Sequence, residues 1–154
     1  SRVKFITAVP AMGQLSTKVK SKVEPKITKW RHGQKHTSVN PKYVGYLKGL
    51  DGRILHCRSA HAALNTLLQS AGAVIMKQAL VCLDSLLKET LSPGEDYEFV
   101  ANVHDEWQIE ARPEHAEHVG QMCVKAMEEA GKQLNFSCPI TVEFSIGTTW
   151  KETH

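Results

Sequence analysis

The chain lacks paired cysteines, long apolar runs and internal repeats. No two of its four cysteines have CxxC spacing, which argues against the common zinc motifs and a disulfide framework. Their dispersion predicts reduced intracellular thiols. Polar residues interrupt every apolar stretch before it reaches about 18 residues, and no signal peptide is recognisable. We therefore expect a soluble, cytoplasmic chain with no membrane partner. The cysteines are Cys57, Cys82, Cys123 and Cys138.

Positive charge is concentrated at the N-terminal end, although the net charge is only +3. Residues 1–58 contain 13 Lys and Arg against two acids, whereas residues 59–154 contain 6 against 14. Such asymmetry is typical of a phosphate-binding region. A solvated basic face or a flexible arm would give the same composition, so the charge alone leaves these alternatives open.

Hydrophobic periodicity predicts an α+β fold, in which an antiparallel sheet has helices packed on one face. Proline, glycine and polar residues at 24–41 indicate a loop or linker. The predicted helices cover residues 10–22, 60–88 and 113–134. The predicted strands are residues 43–47 and 53–57, a hairpin from Tyr97 to Ala111, and residues 140–145.

The most informative segment is Val103-His104-Asp105-Glu106, at the turn of that hairpin. Because strand turns project side chains away from the sheet, we expect the two carboxylates to be exposed beside a histidine. Carboxylate oxygens can hold a hard cation such as magnesium. A solvated acidic turn is the alternative that the tetrapeptide alone leaves open.

Polar side chains also follow one side of the long predicted helix, for which Ser59 is the expected N-cap. Asn65 and Gln69 are one turn apart, His61 falls on the same stripe, and Arg58 would join it if the helix began early enough. Amide and guanidinium donors suit the minor groove of DNA, where every base pair offers acceptors. Taken singly, each residue is better explained by capping and solvating a helix, whereas the set as a whole is not.

These two segments together resemble the last two motifs of the family A DNA polymerases, which include bacterial polymerase I and short-tailed-phage enzymes. The pattern is Arg58-x-x-x-Ala62-x-x-Asn65-x-x-x-Gln69, followed by Val103-His104-Asp105-Glu106. The turn Lys48-Gly49-Leu50-Asp51-Gly52-Arg53 and the ending Gly147-x-x-Trp150-x-x-x-His154 are most similar to the phage type. The resemblance runs from about Val9 to the C-terminus.

The resemblance implies template-directed nucleotidyl transfer with two Mg²⁺ ions, which Mn²⁺ can replace. Asp105 and Glu106 would be the catalytic, metal-binding carboxylates, with Glu106 in an auxiliary position. His104 would contact the primer terminus. The minor-groove and DNA contacts would come from the helix stripe: Arg58, His61, Asn65 and Gln69.

The resemblance also implies that the chain is incomplete, because the family's first aspartate motif and its nucleotide-binding fingers helix are missing. We expect residues 1–41 to be the end of the fingers with a basic linker and residues 42–154 to be the C-terminal half of the palm. Primer-template DNA, dNTP and an N-terminal polymerase fragment would be the partners, and the chain alone would be inactive. A noncatalytic module that binds primer-template DNA or stabilises a partner is the alternative.

Overall fold

The protein is described by a computed structural model, which covers residues 10–24, 26–39, 45–103 and 105–153. The α+β class is confirmed. The chain divides into two compact units, Ser1–Ala71 and Gly72–His154. The helices are α1 (Pro10–Val23), α2 (Ala60–Lys88), α3 (Ala116–Gln133) and α4 (Trp150–Thr153). The strands are β1 (Lys26–Arg31), β2 (Gln34–Val39), β3 (Tyr46–Lys48), β4 (Ile54–His56), β5 (Tyr97–Val103) and β6 (Glu106–Ala111).

Every strand in the described ranges pairs only with its neighbour in sequence, so three separate antiparallel pairs replace a continuous sheet. The pair β1–β2 corrects our prediction of a loop at 24–41. The predicted strand at 140–145 was also wrong, since this segment forms no strand. It packs Ile140 and Val142 against a cluster that contains Met127 of α3. No strand in the described residues lies alongside it to complete a ladder.

The core of the first unit holds α1 against β3 and the start of α2. Its buried residues are Val19, Val23, Leu47, Cys57 and Ala63. Gly45 makes the close approach of α1 possible, because a Cβ there would lie 2.8 Å from the carbonyl oxygen of Lys22. A larger residue at this position would push the end of α1 away from the strand that follows.

The core of the second unit packs two helices against one face of the β5–β6 hairpin. Leu83 and Leu87 of α2 are fully buried there, and Val119, Cys123 and Ala126 of α3 complete the helical side. Burial raises the pKa of the Cys123 thiol to about 11, so the nucleophilic thiolate is scarce at neutral pH. All four cysteines are free thiols, as the sequence predicts.

The hairpin face that meets these helices is rich in aromatic residues. Tyr97 and Phe99 of β5 stack edge to face, with ring centroids 5.7 Å apart. They pair in register with Ala111 and Ile109 of β6. Alternate residues at the base of the hairpin therefore face the helices and anchor it there. The turn lies at the opposite end of the hairpin.

Helix α2 is long and apolar enough to cross a membrane by length and composition, with a mean hydropathy of 1.4 over its most apolar window. The structure buries 17% of that window. Because Ala63, Leu83 and Leu87 of this helix are fully buried, part of its apolar surface is used inside the fold. Polar residues interrupt its sequence repeatedly, so the helix contains no unbroken apolar run of about 18 residues.

Candidate functional site: a carboxylate hairpin and a polar helix stripe

Asp105 lies in the two-residue turn that joins β5 to β6. The last register pair before the turn is Val103 with Glu106, and the Asp105 side chain is exposed. The exposed carboxylate at the tip matches our expectation, while the packed base of the same hairpin fixes its position. His104 lies outside the described residues, so its predicted contact with DNA stays a prediction.

Glu106 is half-buried, which differs from the fully exposed position that we expected. As the first residue of β6 it shares a strand face with Gln108, whose side-chain amide donates a hydrogen bond to the Glu106 carboxylate. This bond orients the Glu106 side chain along the outer face of the hairpin. Sequence reasoning missed Gln108, although its spacing of two from Glu106 in a strand was the available signal.

The helix stripe is present in the first unit. His61, Asn65 and Gln69 are all exposed, and successive members are four residues apart along α2. Ala63, which is fully buried, lies about 200° from Asn65 around the helix axis. The three polar side chains therefore face away from the core and are available to a ligand.

Arg58 does not belong to the helical stripe. Helix α2 begins at Ala60, and the Ser59 hydroxyl accepts a hydrogen bond from the Ala62 amide at 3.3 Å, which is the predicted N-cap. Arg58 is exposed in the bend before the cap. Because the cap fixes the start of the helix, the helix does not reach back far enough to align Arg58 with Asn65.

A tight turn that sequence reasoning left without a role lies beside this stripe. Gly49 amide and Arg53 carbonyl close the β3–β4 turn, and a Cβ on Gly49 would be 3.2 Å from the Ser70 hydroxyl of α2. The Arg53 guanidinium contacts Asp51 at 2.6 Å. Although desolvation opposes it, hydrogen bonding from the Arg53 backbone and side chain lowers the pKa of Asp51 below its ordinary value. The ionised pair braces this turn, which approaches α2 at Ser70.

The structure brings the predicted residues together as two sets, one in each unit. His61, Asn65 and Gln69 form the stripe in the first, and Asp105 and Glu106 occupy the hairpin in the second. Carboxylate oxygens are the donors that Mg²⁺ prefers, so the second set fits a share of a magnesium site. Within the described ranges, no three His, Cys, Asp or Glu side chains cluster closely enough to hold a metal ion. The remaining ligands would have to come from outside these residues.

The chain belongs to the family A DNA polymerases, since residues 18–152 match that family, described as DNA polymerase family A. The DNA-directed DNA polymerase of Enterobacteria phage T3 is 37% identical over 98% of this chain and 21% of its own length. The corresponding enzyme of Escherichia phage T7 is 36% identical over the same shares. DNA polymerase I of Aquifex aeolicus is 34% identical over 71% of this chain. The chain spans about a fifth of the length of these phage relatives.

Proposed function

We propose that this chain is the C-terminal piece of a DNA-directed DNA polymerase and supplies one catalytic aspartate and a set of duplex contacts. The observation that carries the proposal is the exposed carboxylate of Asp105 at the tip of a hairpin whose base is buried in a core. The membership in family A supports the assignment. Primer-template DNA and dNTP are the proposed substrates, and an upstream fragment with the other catalytic aspartate and the fingers helix is the proposed partner.

The chemistry proposed for the hairpin is a share of two-metal nucleotidyl transfer. Two Mg²⁺ ions, for which Mn²⁺ can substitute, would stabilise the attacking 3′-oxyanion and the leaving pyrophosphate. Asp105 would hold them together with the partner aspartate. Glu106, oriented by Gln108, would serve as an outer carboxylate that positions a water molecule. His104 would contact the primer terminus.

The helix stripe has a separate proposed role in holding the newly formed duplex. The exposed amides of Asn65 and Gln69 can donate hydrogen bonds to the minor-groove acceptors that every base pair carries. His61 and Arg58 would add contacts along the same groove and backbone. Such contacts report the geometry of a base pair and are indifferent to its sequence.

The same proposal assigns the chain's place in the enzyme and the cell. Residues 1–41 would end the fingers and residues 42–154 would form the second half of the palm. The relatives are phage and bacterial polymerases, which supports an intracellular, soluble replication protein in the cytoplasm. If the gene belongs to a phage, this is the cytoplasm of the host cell.

A primer-extension assay with magnesium tests the proposal, using this chain alone, the upstream segment of the same polymerase alone, and both together. We expect synthesis only in the mixture or in the covalently joined protein. Full activity of the upstream segment without this chain would contradict the catalytic role. If the mixture binds DNA but neither it nor the covalently joined protein extends the primer, the result would favour the noncatalytic module.

Gln69→Ala is expected to weaken primer-template binding by about 2- to 13-fold, because one minor-groove hydrogen bond of about 0.5–1.5 kcal/mol is lost. Extension past a mismatch should rise relative to extension of a matched end. Gln121→Ala is the matched control, since Gln121 is an exposed helical glutamine in the other unit. Steady-state extension from matched and mismatched primers provides the measurement. Equal effects of the two variants would contradict a contact between Gln69 and the duplex.

A further inference from the structure

The β1–β2 hairpin is a regular two-stranded ribbon with a two-residue turn. All six positions of Lys26–Arg31 pair in register with Gln34–Val39. The turn residues His32 and Gly33 have φ angles of 48° and 76°, the positive values that a type I′ hairpin turn requires at both positions. The turn residues therefore favour a hairpin at this point in the chain.

The charge of this hairpin is of one sign. Residues 26–39 contain four Lys and Arg and two His, and no Asp or Glu. Lys29 is directly opposite His36 in the register, so both lie on one face of the ribbon, while Lys35 lies on the other. All three side chains are exposed. The hairpin itself therefore supplies no carboxylate to balance these positive charges.

The hairpin side chains that the structure describes contribute no residue to the buried core of the first unit. An isolated two-stranded hairpin is only marginally stable in water. A ligand that neutralises its cations would therefore stabilise the hairpin.

The length and charge of the ribbon suit a nucleic acid backbone. A six-residue strand is about 20 Å long, which matches the rise of about six phosphates along one DNA strand. The described side chains of the hairpin are Lys29, His32, Gln34, Lys35, His36 and Ser38. All are polar and can donate hydrogen bonds to phosphate oxygens.

We infer that the β1–β2 hairpin is a DNA-binding arm that grips phosphates of the primer-template without reading its sequence. The inference deepens the proposed polymerase function, on which it rests, by assigning a phosphate contact to an element distinct from the helix stripe. Lys29 and Lys35 are the contacts that the exposed positions identify most directly.

The test compares two variants of equal charge in the full chain. Lys29→Gln with Lys35→Gln removes two cations from the hairpin, while Lys77→Gln with Lys151→Gln removes two exposed cations elsewhere. Fluorescence anisotropy with a labelled primer-template is measured from 50 to 200 mM KCl. We expect the slope of log K against log salt to fall by about two for the hairpin variant. Its affinity at about 100 mM KCl should fall at least about tenfold, equally for two unrelated DNA sequences.

A third variant separates hairpin shape from hairpin charge. Gly33→Val keeps every cation but places a β-branched residue at a positive φ, so it should also weaken DNA binding. His32→Asn should not, because asparagine adopts this conformation readily. Circular dichroism of each variant checks that α1 and α2 remain folded.

Two results would overturn the inference. One is an equal loss of affinity in both charge variants, which would reflect net charge alone. The other is an unchanged DNA affinity together with lost binding to a polyglutamate peptide, which would assign the hairpin to an acidic protein partner. Neither result touches Asp105, so primer extension by the joined protein would still decide the polymerase function independently.

Discussion

Asp105→Asn is expected to lower primer extension by the complete polymerase on the order of 10³-fold or more, with DNA affinity nearly unchanged. The substitution keeps the shape of the side chain but removes the negative charge that would hold the metal ions. Loss of a fixed charge at the reacting centre removes stabilisation that acts mainly in the transition state. Because the side chain is exposed at a turn, the fold should tolerate the change.

Single-turnover extension with magnesium, together with DNA binding by anisotropy, provides the measurement. Glu110→Gln is the matched control, because Glu110 is an exposed carboxylate of the same hairpin. It lies at the end of β6 that is far from the turn. We expect that variant to retain its extension rate within about twofold. Robust extension by Asp105→Asn would refute the assignment of this residue as a metal ligand.

Leu87→Ala is expected to destabilise the second unit by about 2–5 kcal/mol. Leu87 is fully buried between α3 and the β5–β6 hairpin, so truncation removes apolar contacts and leaves a cavity. The hairpin that carries Asp105 depends on this same core. Extension activity should therefore become sensitive to temperature before it is lost.

Urea unfolding followed by Trp107 fluorescence measures the effect, because Trp107 packs against the same cluster. The other two tryptophans, Trp30 and Trp150, are replaced by phenylalanine so that the signal reports this unit. Val81→Ala in the same helix is the control, since Val81 is 63% exposed and should change the free energy of unfolding by less than about 0.5 kcal/mol. A Leu87→Ala midpoint equal to that of the control would contradict the packing.

Long, capped or locally paired elements were predictable from the sequence. The Ser59 cap and the apolar periodicity placed α2 at the bounds that the structure shows. The alternation from Tyr97 to Ala111 likewise gave the hairpin and its turn. In each case the determinants lie within a few residues of one another, so a local pattern was enough.

The errors occurred where a local pattern was overlooked or a distant partner was needed. The loop prediction at 24–41 gave too much weight to flanking prolines and overlooked His32-Gly33, which provides the two positive φ angles of a hairpin turn. The alternating residues 140–145 suit a strand, but a strand forms only beside another strand. Ile140 and Val142 pack on α3, but no strand in the described residues runs alongside them.

The candidate site shows the same division. The position of Asp105 at a turn followed from strand alternation on either side of it. The orientation of Glu106 did not, since it depends on a hydrogen bond from Gln108 that requires particular side-chain rotamers. The full set of ligands for the proposed metal site was beyond the sequence, because the described hairpin offers only two carboxylates, Asp105 and Glu106.

The irregularity between Phe99 and Ala101 shifts the pairing register of β5 by one residue. Before it, Phe99 shares a face with Ile109; after it, Asn102 shares that face with Trp107, and Val103 turns outward with Glu106. Val100 is thus the inserted residue of a β-bulge. Deleting it would leave residues 101–103 on the same faces in a regular ladder, but it would remove the bend and extra twist that a bulge gives to its strand. In an aligned set of relatives, a one-residue gap at this point would mark a turn aimed in a different direction, even where the acidic residues themselves are identical.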